Sequence, residues 1–224
     1  MNTNNTDFTI MKDIAIFGAG GLGREVACLL RLINEKKREW NFIGFIDDSV
    51  SLWGTENKYG RVLGGTDWLN RYEKLLAVVV AVGSSDAIHS IVSRILNPCV
   101  YFPNIFAPTV TFLDRESIEL GQGNIFCSNC LVSCNVHIGN FNLFNGNIPI
   151  GHDVKIGDYN VVMPSVNISG GVTIGDRNFL GVQSVVLQYL KIGNHVRLGA
   201  NSVMMHRPQD GFMYIGNPAK RIKL

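Results

Sequence analysis

One histidine in the sequence stands next to a carboxylate, and this pair is the first candidate for chemistry. Of the five histidines, only His152 is followed directly by an acidic residue, Asp153. Gly151 precedes the pair and indicates a turn, so we expect the imidazole to point outward. An imidazole titrates near neutral pH, and a neighbouring carboxylate orients it and raises its basicity. The pair predicts a general base; a solvated surface histidine is the alternative. The other four are expected to be structural or surface residues: His89, His137, His195 and His206.

A glycine-rich segment near the amino terminus is the second candidate. It reads Gly-Ala-Gly-Gly-Leu-Gly over residues 18–23, with glycines at Gly18, Gly20, Gly21 and Gly23. The apolar run 13–17 before it predicts a buried parallel strand, and apolar residues at helical spacing over 24–37 predict a helix. A glycine turn between strand and helix lets backbone N–H groups and the helix terminus bind a phosphate. The segment therefore predicts a nucleotide-binding loop.

Two further predicted strands end in polar residues that extend this site. The strand 42–46 is followed by Asp47 and Asp48, where carboxylates read nucleotide hydroxyl or N–H groups; an exposed turn is the alternative. The strand 76–82 leads into Gly83 and a helix over 86–96, which Ser84 or Ser85 can cap. We therefore predict a Rossmann-like α/β domain over residues 11–103. Its small size favours one nucleotide over NAD.

A six-residue repeat dominates the second half of the chain. Every sixth residue from Leu120 to Met204 is apolar, and eight of the fifteen residues that follow them are glycine, which supplies either a positive φ or a close approach. Turn glycines and the asparagines Asn124, Asn142, Asn160 and Asn178 recur every eighteen residues. Three six-residue faces per coil, stacked at about 4.8 Å, predict a parallel β-helix with an asparagine ladder. We assign it to residues 104–224, with 103–116 as a connector or an irregular first coil.

Composition excludes several classes of protein. The chain has 224 residues, a net charge of +2 and 46% hydrophobic residues, which argues against a disordered chain and against nucleic-acid binding. No apolar run approaches a membrane span. The polar segment 1–9 has no signal-peptide pattern and is expected to be a loose extension. The cluster Cys127, Cys130 and Cys134 suggests a metal site as an alternative, but no second Cys/His pair has zinc spacing. We therefore expect five free thiols, no metal and a cytoplasmic protein.

The two halves together resemble the bacterial sugar O- and N-acetyltransferases of the hexapeptide-repeat acyltransferase family. This family includes the sialic acid O-acetyltransferases and the UDP-4-amino-sugar N-acetyltransferases. The resemblance runs from Lys12 to Lys223. Its motifs lie at 16–23, 45–48, 81–83, Asn145, 151–158, 169–172 and 216–220. It implies a left-handed β-helix, a homotrimer, acetyl-CoA as cosubstrate in the groove between prisms, and a nucleotide sugar in the amino-terminal domain.

The resemblance also implies roles for individual residues. His152 matches the catalytic base and Asp153 the acidic residue that orients it. Asn145 matches an asparagine that contacts acetyl-CoA, and the N–H groups of Gly170 and Ala200 fall along the pantetheine arm. The nucleotide-sugar site falls on Gly18, Gly20, Gly21, Gly23, Asp47, Asp48 and Gly83.

Two departures from the aminosugar branch qualify the expected reaction. The position of a second histidine that holds the acetyl carbonyl is Val161 here, and that of an arginine near the nucleotide is Ile88, although Arg94 lies nearby. The leading hypothesis is N-acetylation of a nucleotide-linked amino sugar for surface glycans. The alternatives are sugar O-acetylation of the sialic acid type and a non-catalytic nucleotide-sugar-binding homologue. An NAD-dependent dehydrogenase and a purely structural β-helix are disfavoured.

Overall fold

The computed structural model describes residues 11–222, so the predicted loose extension at 1–9 lies outside the described residues. The amino-terminal part is a six-stranded sheet in the order β3-β4-β2-β1-β5-β6, in which all pairs are parallel except β3–β4. No helix among residues 11–222 is long and apolar enough to cross a bilayer. The elements are β1 (Lys12–Phe17), α1 (Gly21–Lys36), β2 (Trp40–Ile46), β3 (Glu56–Asn57), β4 (Gly60–Gly64), α2 (Thr66–Asn70), β5 (Leu76–Val80), α3 (Ser85–Arg94) and β6 (Val100–Tyr101).

The predicted strand–loop–helix units are present, although some of their bounds differ from those predicted. Helix α1 begins at Gly21, three residues earlier than predicted, because part of the glycine segment forms its first turn. Ser84 caps α3 by accepting a hydrogen bond from the N–H of Ala87. The β3–β4 hairpin and α2 were not predicted, because the apolar patterns in 55–75 are too short to indicate elements.

The second part is a prism whose three faces are parallel sheets of two-residue strands. Residues 103–116, before the regular repeat, supply β7 (Ile105–Phe106) and β8 (Thr111–Phe112) of an irregular first coil. The strand β9 (Glu119–Leu120), which ends at the first residue of the regular repeat, completes this coil. Face 1 holds β7 (Ile105–Phe106), β10 (Ile125–Phe126), β13 (Leu143–Phe144), β16 (Val161–Val162), β19 (Phe179–Leu180) and β22 (Arg197–Leu198), extended by the hairpin β24 (Met213–Gly216) and β25 (Ala219–Ile222). Face 2 holds β8 (Thr111–Phe112), β11 (Leu131–Val132), β14 (Pro149–Ile150), β17 (Asn167–Ile168), β20 (Val185–Val186) and β23 (Val203–Met204). Face 3 holds β9 (Glu119–Leu120), β12 (His137–Ile138), β15 (Lys155–Ile156), β18 (Thr173–Ile174) and β21 (Lys191–Ile192).

The interior of the prism is built from the second residue of each strand. Phe126, Phe144, Val162 and Leu180 stack inward along face 1 with no exposed area, and the first two rings lie 4.4 Å apart. Each strand pairs with the strand eighteen residues later, as between Leu143 and Val161. The predicted fold class, a Rossmann-like domain followed by a left-handed parallel β-helix, is confirmed.

A turn glycine could supply either a positive φ or a close approach of two backbones. In the structure these two roles fall on different residues. The repeat glycines do not have a positive φ; they permit close approach, because a Cβ on Gly139 would lie 2.8 Å from the carbonyl oxygen of Gly157. The left-handed conformation occurs instead at every sixth residue from 123 to 201. Only two of these residues are glycine; the others are Asn129, Asn135, Phe141, Asn147, Asp153, Tyr159, Ser165, Arg177, Gln183, Tyr189, His195 and Asn201.

The predicted asparagine ladder joins successive coils. The Oδ1 atom of Asn160 accepts hydrogen bonds from the backbone and side-chain nitrogens of Asn178, at 2.8 and 2.9 Å. Its Nδ2 atom donates to Asn142 and to the carbonyl of Gly175. The ladder side chains are almost fully buried, so these bonds satisfy backbone groups that water does not reach.

We expect Asn160→Ala to lower the free energy of unfolding by about 2 kcal/mol or more, because it leaves the Asn178 N–H and the Gly175 carbonyl without partners. Asn167→Ala is the matched control, since Asn167 is an exposed asparagine of β17. Its effect should stay within about 0.5 kcal/mol. Urea denaturation measures both, and equal effects would contradict a structural role for the ladder.

The amino-terminal domain packs on face 1 of the prism. The outward residues Ile125, Leu143 and Val161 of this face belong to the same buried cluster as the core of the Rossmann-like sheet. At the edge of the contact, the Ser85 hydroxyl donates to the Asn178 carbonyl, and the His89 ring meets the Tyr159 ring edge to face at 5.1 Å. Among residues 11–222, the buried core of this domain includes no strand residue of the other two faces.

Candidate active site

His152 and Asp153 lie at the corner between faces 2 and 3, which we call the second corner. The Nδ1 atom of His152 is 2.7 Å from Oδ2 of Asp153, and both side chains are about half exposed. A carboxylate only accepts, so Nδ1 carries the proton in this pair and Nε2 keeps its lone pair. The arrangement can take a proton from a group placed at Nε2.

The carboxyl group of Asp153 is held in its ionised form. The hydrogen bond with His152, helped by one from the Asn135 amide, keeps the pKa of Asp153 below its usual range. Asp153 therefore orients the ring as an ionised carboxylate.

Gly170 supports the imidazole from the next coil. A Cβ on this residue would lie 2.6 Å from Nε2 of His152 and 2.8 Å from Cε1, so the ring occupies the space that any other side chain would need. Among residues 11–222, the Gly170 N–H has no hydrogen-bond partner. The residue that contacts the candidate base therefore carries a backbone donor without a partner among the described residues. The eighteen-residue spacing between His152 and Gly170 is the signal from which this contact could have been predicted.

Asn145 and Ala200 lie at the corner between faces 1 and 2, the first corner. Asn145 and His152 flank β14 of the same coil, at opposite ends of face 2. The Ala200 N–H, like that of Gly170, has no partner among the described residues, and Gly181 leaves room beside it because a Cβ there would approach this nitrogen to 2.6 Å. Asn145, Gly170 and Ala200 are therefore spread along face 2 and its two edges.

The glycine segment forms a tight loop at the carboxyl end of β1. Gly18 has a φ of +109°, and Gly23 must be glycine because a Cβ there would collide with the Gly18 carbonyl. Gly20 and Gly21 face open space, at the start of α1. The loop leaves the helix terminus accessible to an anion.

Both aspartates after β2 are engaged within the chain. Asp47 accepts hydrogen bonds from the N–H groups of Ala19 and Ser49, so it supports the glycine loop. Asp48 accepts from the N–H and hydroxyl of Thr66 and pairs with Arg94 at 2.8 Å. Partial burial pushes the pKa of Asp48 upward, but the bonds from Thr66 and Arg94 outweigh burial and lower the pKa.

We expect Asp48→Asn to destabilise the protein at neutral pH and to lose this effect in acid. A lowered folded-state pKa contributes stability that is complete above the unfolded pKa, about 3.9, and that disappears as the pH falls through the folded value. Urea denaturation of wild type and variant at about pH 7 and about pH 2.5 measures the difference. A destabilisation of equal size at both pH values would show that the charge of Asp48 is not its cause.

Gly83 opens into a crevice between α3 and the prism. The crevice has a volume of about 200 Å³ and is lined by Arg177, His195 and Arg197 as well as Gly83. His195 is 3.8 Å from Asp86, and the Arg197 guanidinium lies over the Phe179 ring. Arg177 and Arg197 were not predicted as site residues, because the repeat indicates only that these side chains point outward.

The two departures from the family pattern are buried positions. Val161 has no exposed area and packs between face 1 and the amino-terminal domain, and Ile88 is 2% exposed in α3. Neither position presents a side chain to the second corner or to the loop. Arg94, the possible substitute for an arginine at position 88, is paired with Asp48.

The cysteines are free thiols in the described residues. Burial, with smaller effects from Cys130 and Glu25, raises the pKa of Cys127 to about 12, and burial also raises the pKa of Cys130. Protonated thiols are poor metal ligands. Within residues 11–222, no three His, Cys, Asp or Glu side chains are grouped to hold a metal ion.

The second corner and the glycine loop are not brought together within one chain. The amino-terminal domain covers face 1, and the second corner is the edge of the prism opposite that face. His152 and Asp153 therefore point away from the domain that carries Gly18–Gly23. A ligand held by both needs the loop of one copy and the corner of another.

Comparison with known proteins gives a family for the first domain and relatives for the whole chain. Residues 13–95 match the model of the PglD N-terminal domain. The acetyltransferase domain of PglB from Neisseria gonorrhoeae FA1090 is 25% identical with a TM-score of 0.84, and covers 94% of this chain and 100% of its own. WeeI from Acinetobacter baumannii AYE is 28% identical with the same TM-score, over 95% of this chain and 100% of its own.

A third solved structure supports the fold alone. PerB from Caulobacter crescentus, in complex with CoA and GDP-perosamine, is 23% identical with a TM-score of 0.83, over 94% of this chain and 97% of its own. No curated protein matches the chain. The predicted resemblance is confirmed: the chain has a PglD N-terminal domain followed by a left-handed parallel β-helix, the architecture of the hexapeptide-repeat sugar acetyltransferases.

Proposed function

We propose that the protein transfers an acetyl group from acetyl-CoA to the amino group of a nucleotide-linked amino sugar. The observation that carries this proposal is the His152–Asp153 pair, in which Nδ1 is engaged by the carboxylate while Nε2 lies against Gly170, whose N–H has no partner among residues 11–222. The acetyltransferase domain of PglB, 26% identical over 95% of this chain, is solved with acetyl coenzyme A, and the same fold in PerB is solved with CoA and a nucleotide amino sugar.

The transfer needs one base and no protein nucleophile, because the thioester is already activated. The amine nitrogen of the acceptor attacks the thioester carbon and forms the C–N bond, while Nε2 of His152 takes a proton from that nitrogen. The tetrahedral intermediate then breaks its C–S bond. The leaving thiolate takes the proton from the imidazolium, which gives the amide product and free CoA and restores the neutral ring.

Backbone N–H groups are the donors available for the developing oxyanion. Val161 is buried on face 1, so no side chain at that position reaches the second corner. Gly170 contacts the imidazole, and its N–H has no partner among the described residues. A backbone donor of this kind serves transition states of acyl transfer.

The active form is proposed to be a homotrimer in the cytoplasm. The position of His152 opposite the amino-terminal domain supports a site shared between copies. In a closed symmetric ring, the same edge of each copy faces the same surface of its neighbour, so every copy completes one site. The free cysteines support a reducing compartment. The product is an N-acetylated nucleotide sugar of the kind used for surface glycans.

Release of free CoA thiol in the presence of acetyl-CoA and candidate acceptors tests the proposal. We expect turnover with nucleotide-linked 4-amino sugars and a stable amide in the product. Turnover with sialic acid alone, giving an ester, would favour the O-acetyltransferase alternative. If calorimetry detects no binding of acetyl-CoA but binding of a nucleotide sugar, the chain is a non-catalytic homologue. Sedimentation of the full chain measures its oligomeric state.

A further inference from the structure

An exposed aromatic side chain lies at the second corner, close to the candidate base. Tyr189 follows β20, and its position in the repeat is eighteen residues after Gly171 and thirty-six after Asp153. Backbone hydrogen bonds join the three coils at this corner. The Gly171 N–H donates to the His152 carbonyl, and the Tyr189 N–H donates to the Gly170 carbonyl. Tyr189 therefore lies along the same edge of the prism as the proton-accepting pair.

The imidazole and the phenol ring rest on two consecutive glycines. The ring of His152 occupies the space beside Gly170, and the ring of Tyr189 occupies the space beside Gly171, where a Cβ would collide with its ring atoms. Because adjacent residues hold the two rings, Tyr189 forms a wall next to the imidazole.

Nothing in the described chain covers this phenol ring, in contrast to the other aromatic rings at the same point of the repeat. Tyr189 is 73% exposed with a φ of +62°. Phe141 and Tyr159 have the same left-handed conformation at the corner between faces 3 and 1, but they stack on each other at 5.5 Å and pack against the amino-terminal domain. Packing explains those two rings, whereas Tyr189 presents its ring to solvent beside the candidate base.

We propose that Tyr189 is a binding residue for the acceptor, whose pyranose ring places a face of C–H bonds against the phenol ring. The inference rests on the proposed function. A base must lie within hydrogen-bond reach of the nitrogen that it deprotonates, so the sugar ring that carries this nitrogen lies close to Nε2. Tyr189, whose ring rests on Gly171 next to the residue that contacts the imidazole, is then a side wall for this sugar. Aromatic rings with a polar tip suit ligands that have both apolar and polar faces.

Steady-state kinetics of the full-length protein test this role with Tyr189→Ala and Tyr189→Phe. We expect Tyr189→Ala to raise the KM for the amino-sugar acceptor about three- to tenfold, with kcat within about twofold and the KM for acetyl-CoA unchanged. Tyr189→Phe should behave as wild type, because the flat ring is retained. Gln183→Ala is the matched control, since Gln183 is exposed and has the same backbone conformation at the first corner.

Each other outcome overturns the proposal in a distinguishable way. A rise in the KM for acetyl-CoA alone would place Tyr189 on the donor, and unchanged values for both substrates would leave it without a binding role. If Tyr189→Ala does not fold, Tyr189→Leu replaces it, and a wild-type acceptor KM in that variant contradicts stacking. Wild-type protein that acetylates no sugar refutes the proposed function and this inference together; active wild type with an unmoved acceptor KM refutes only the inference.

Discussion

Replacing His152 with alanine is expected to lower kcat for acetyl transfer by about 10²- to 10⁴-fold, the range that general acid–base catalysis contributes. The variant removes the atom that takes the proton and leaves the fold untouched, because the side chain is half exposed and contributes to no apolar cluster. Thiol release with saturating acetyl-CoA and acceptor measures the effect.

His137→Ala is the matched control for this substitution. His137 also pairs with a carboxylate, Glu119, at 2.9 Å, but it lies on face 3 rather than beside Gly170. We expect its kcat to stay close to that of wild type. Full activity in His152→Ala would show that another group is the base, and an equal loss in both variants would show that the effect is not specific to the second corner.

Gly170→Ala is expected to lower kcat by about 10²-fold, the cost of misplacing a catalytic group by about 1 Å. The new methyl group would lie 2.6 Å from Nε2 of His152, closer than a carbon and a nitrogen can approach, so the ring has to rotate away. Ser169→Ala, a change in the same turn that adds no atoms, serves as control. Equal thermal denaturation midpoints for wild type and Gly170→Ala would show that the loss is local.

The double variant separates the two roles of Gly170. If the added methyl acts by displacing the imidazole, then Gly170→Ala should lower kcat little further when His152 is already alanine, since both changes remove the same function. A full additional 10²-fold loss would instead assign Gly170 to the acetyl-CoA arm or the oxyanion alone. The KM for acetyl-CoA in the single variant reports directly on the N–H contact with the pantetheine.

Asp47 and Asp48 were predicted to bind the nucleotide, but both carboxylates already have partners within the chain. Asp47 holds the Ala19 N–H and Asp48 holds Thr66 and Arg94, so both carboxylates already build the edge of the sheet at which the loop lies. A role in reading nucleotide hydroxyls stays a prediction for both residues. Arg177 and Arg197 of the crevice beside Gly83 place positive charge on the side of the prism, which no single motif indicates.

The sequence by itself determined the prism, its core and its turn register. One apolar residue in every six means that each short strand points one side chain into the interior of the prism. The period of eighteen specifies which residues of successive coils stack on each other. The ladder from Asn124 to Asn178 followed from that register, and so, in principle, did the contacts of His152 with Gly170 and of Tyr189 with Gly171. Repeats are readable because every neighbour lies at a constant separation along the chain.

Only the tertiary structure decided how the two halves are arranged. The outward residues Ile125, Leu143 and Val161 of face 1 are apolar, unlike those of face 3, but the sequence does not specify what covers them. In the structure they are buried under the Rossmann-like core, which removes Val161 from any chemistry. The pairing of Asp48 with Arg94 and the distance of His152 from the glycine loop depend on packing between segments that share no repeat. Such contacts are set by the shapes of whole surfaces, and no spacing along one chain specifies them.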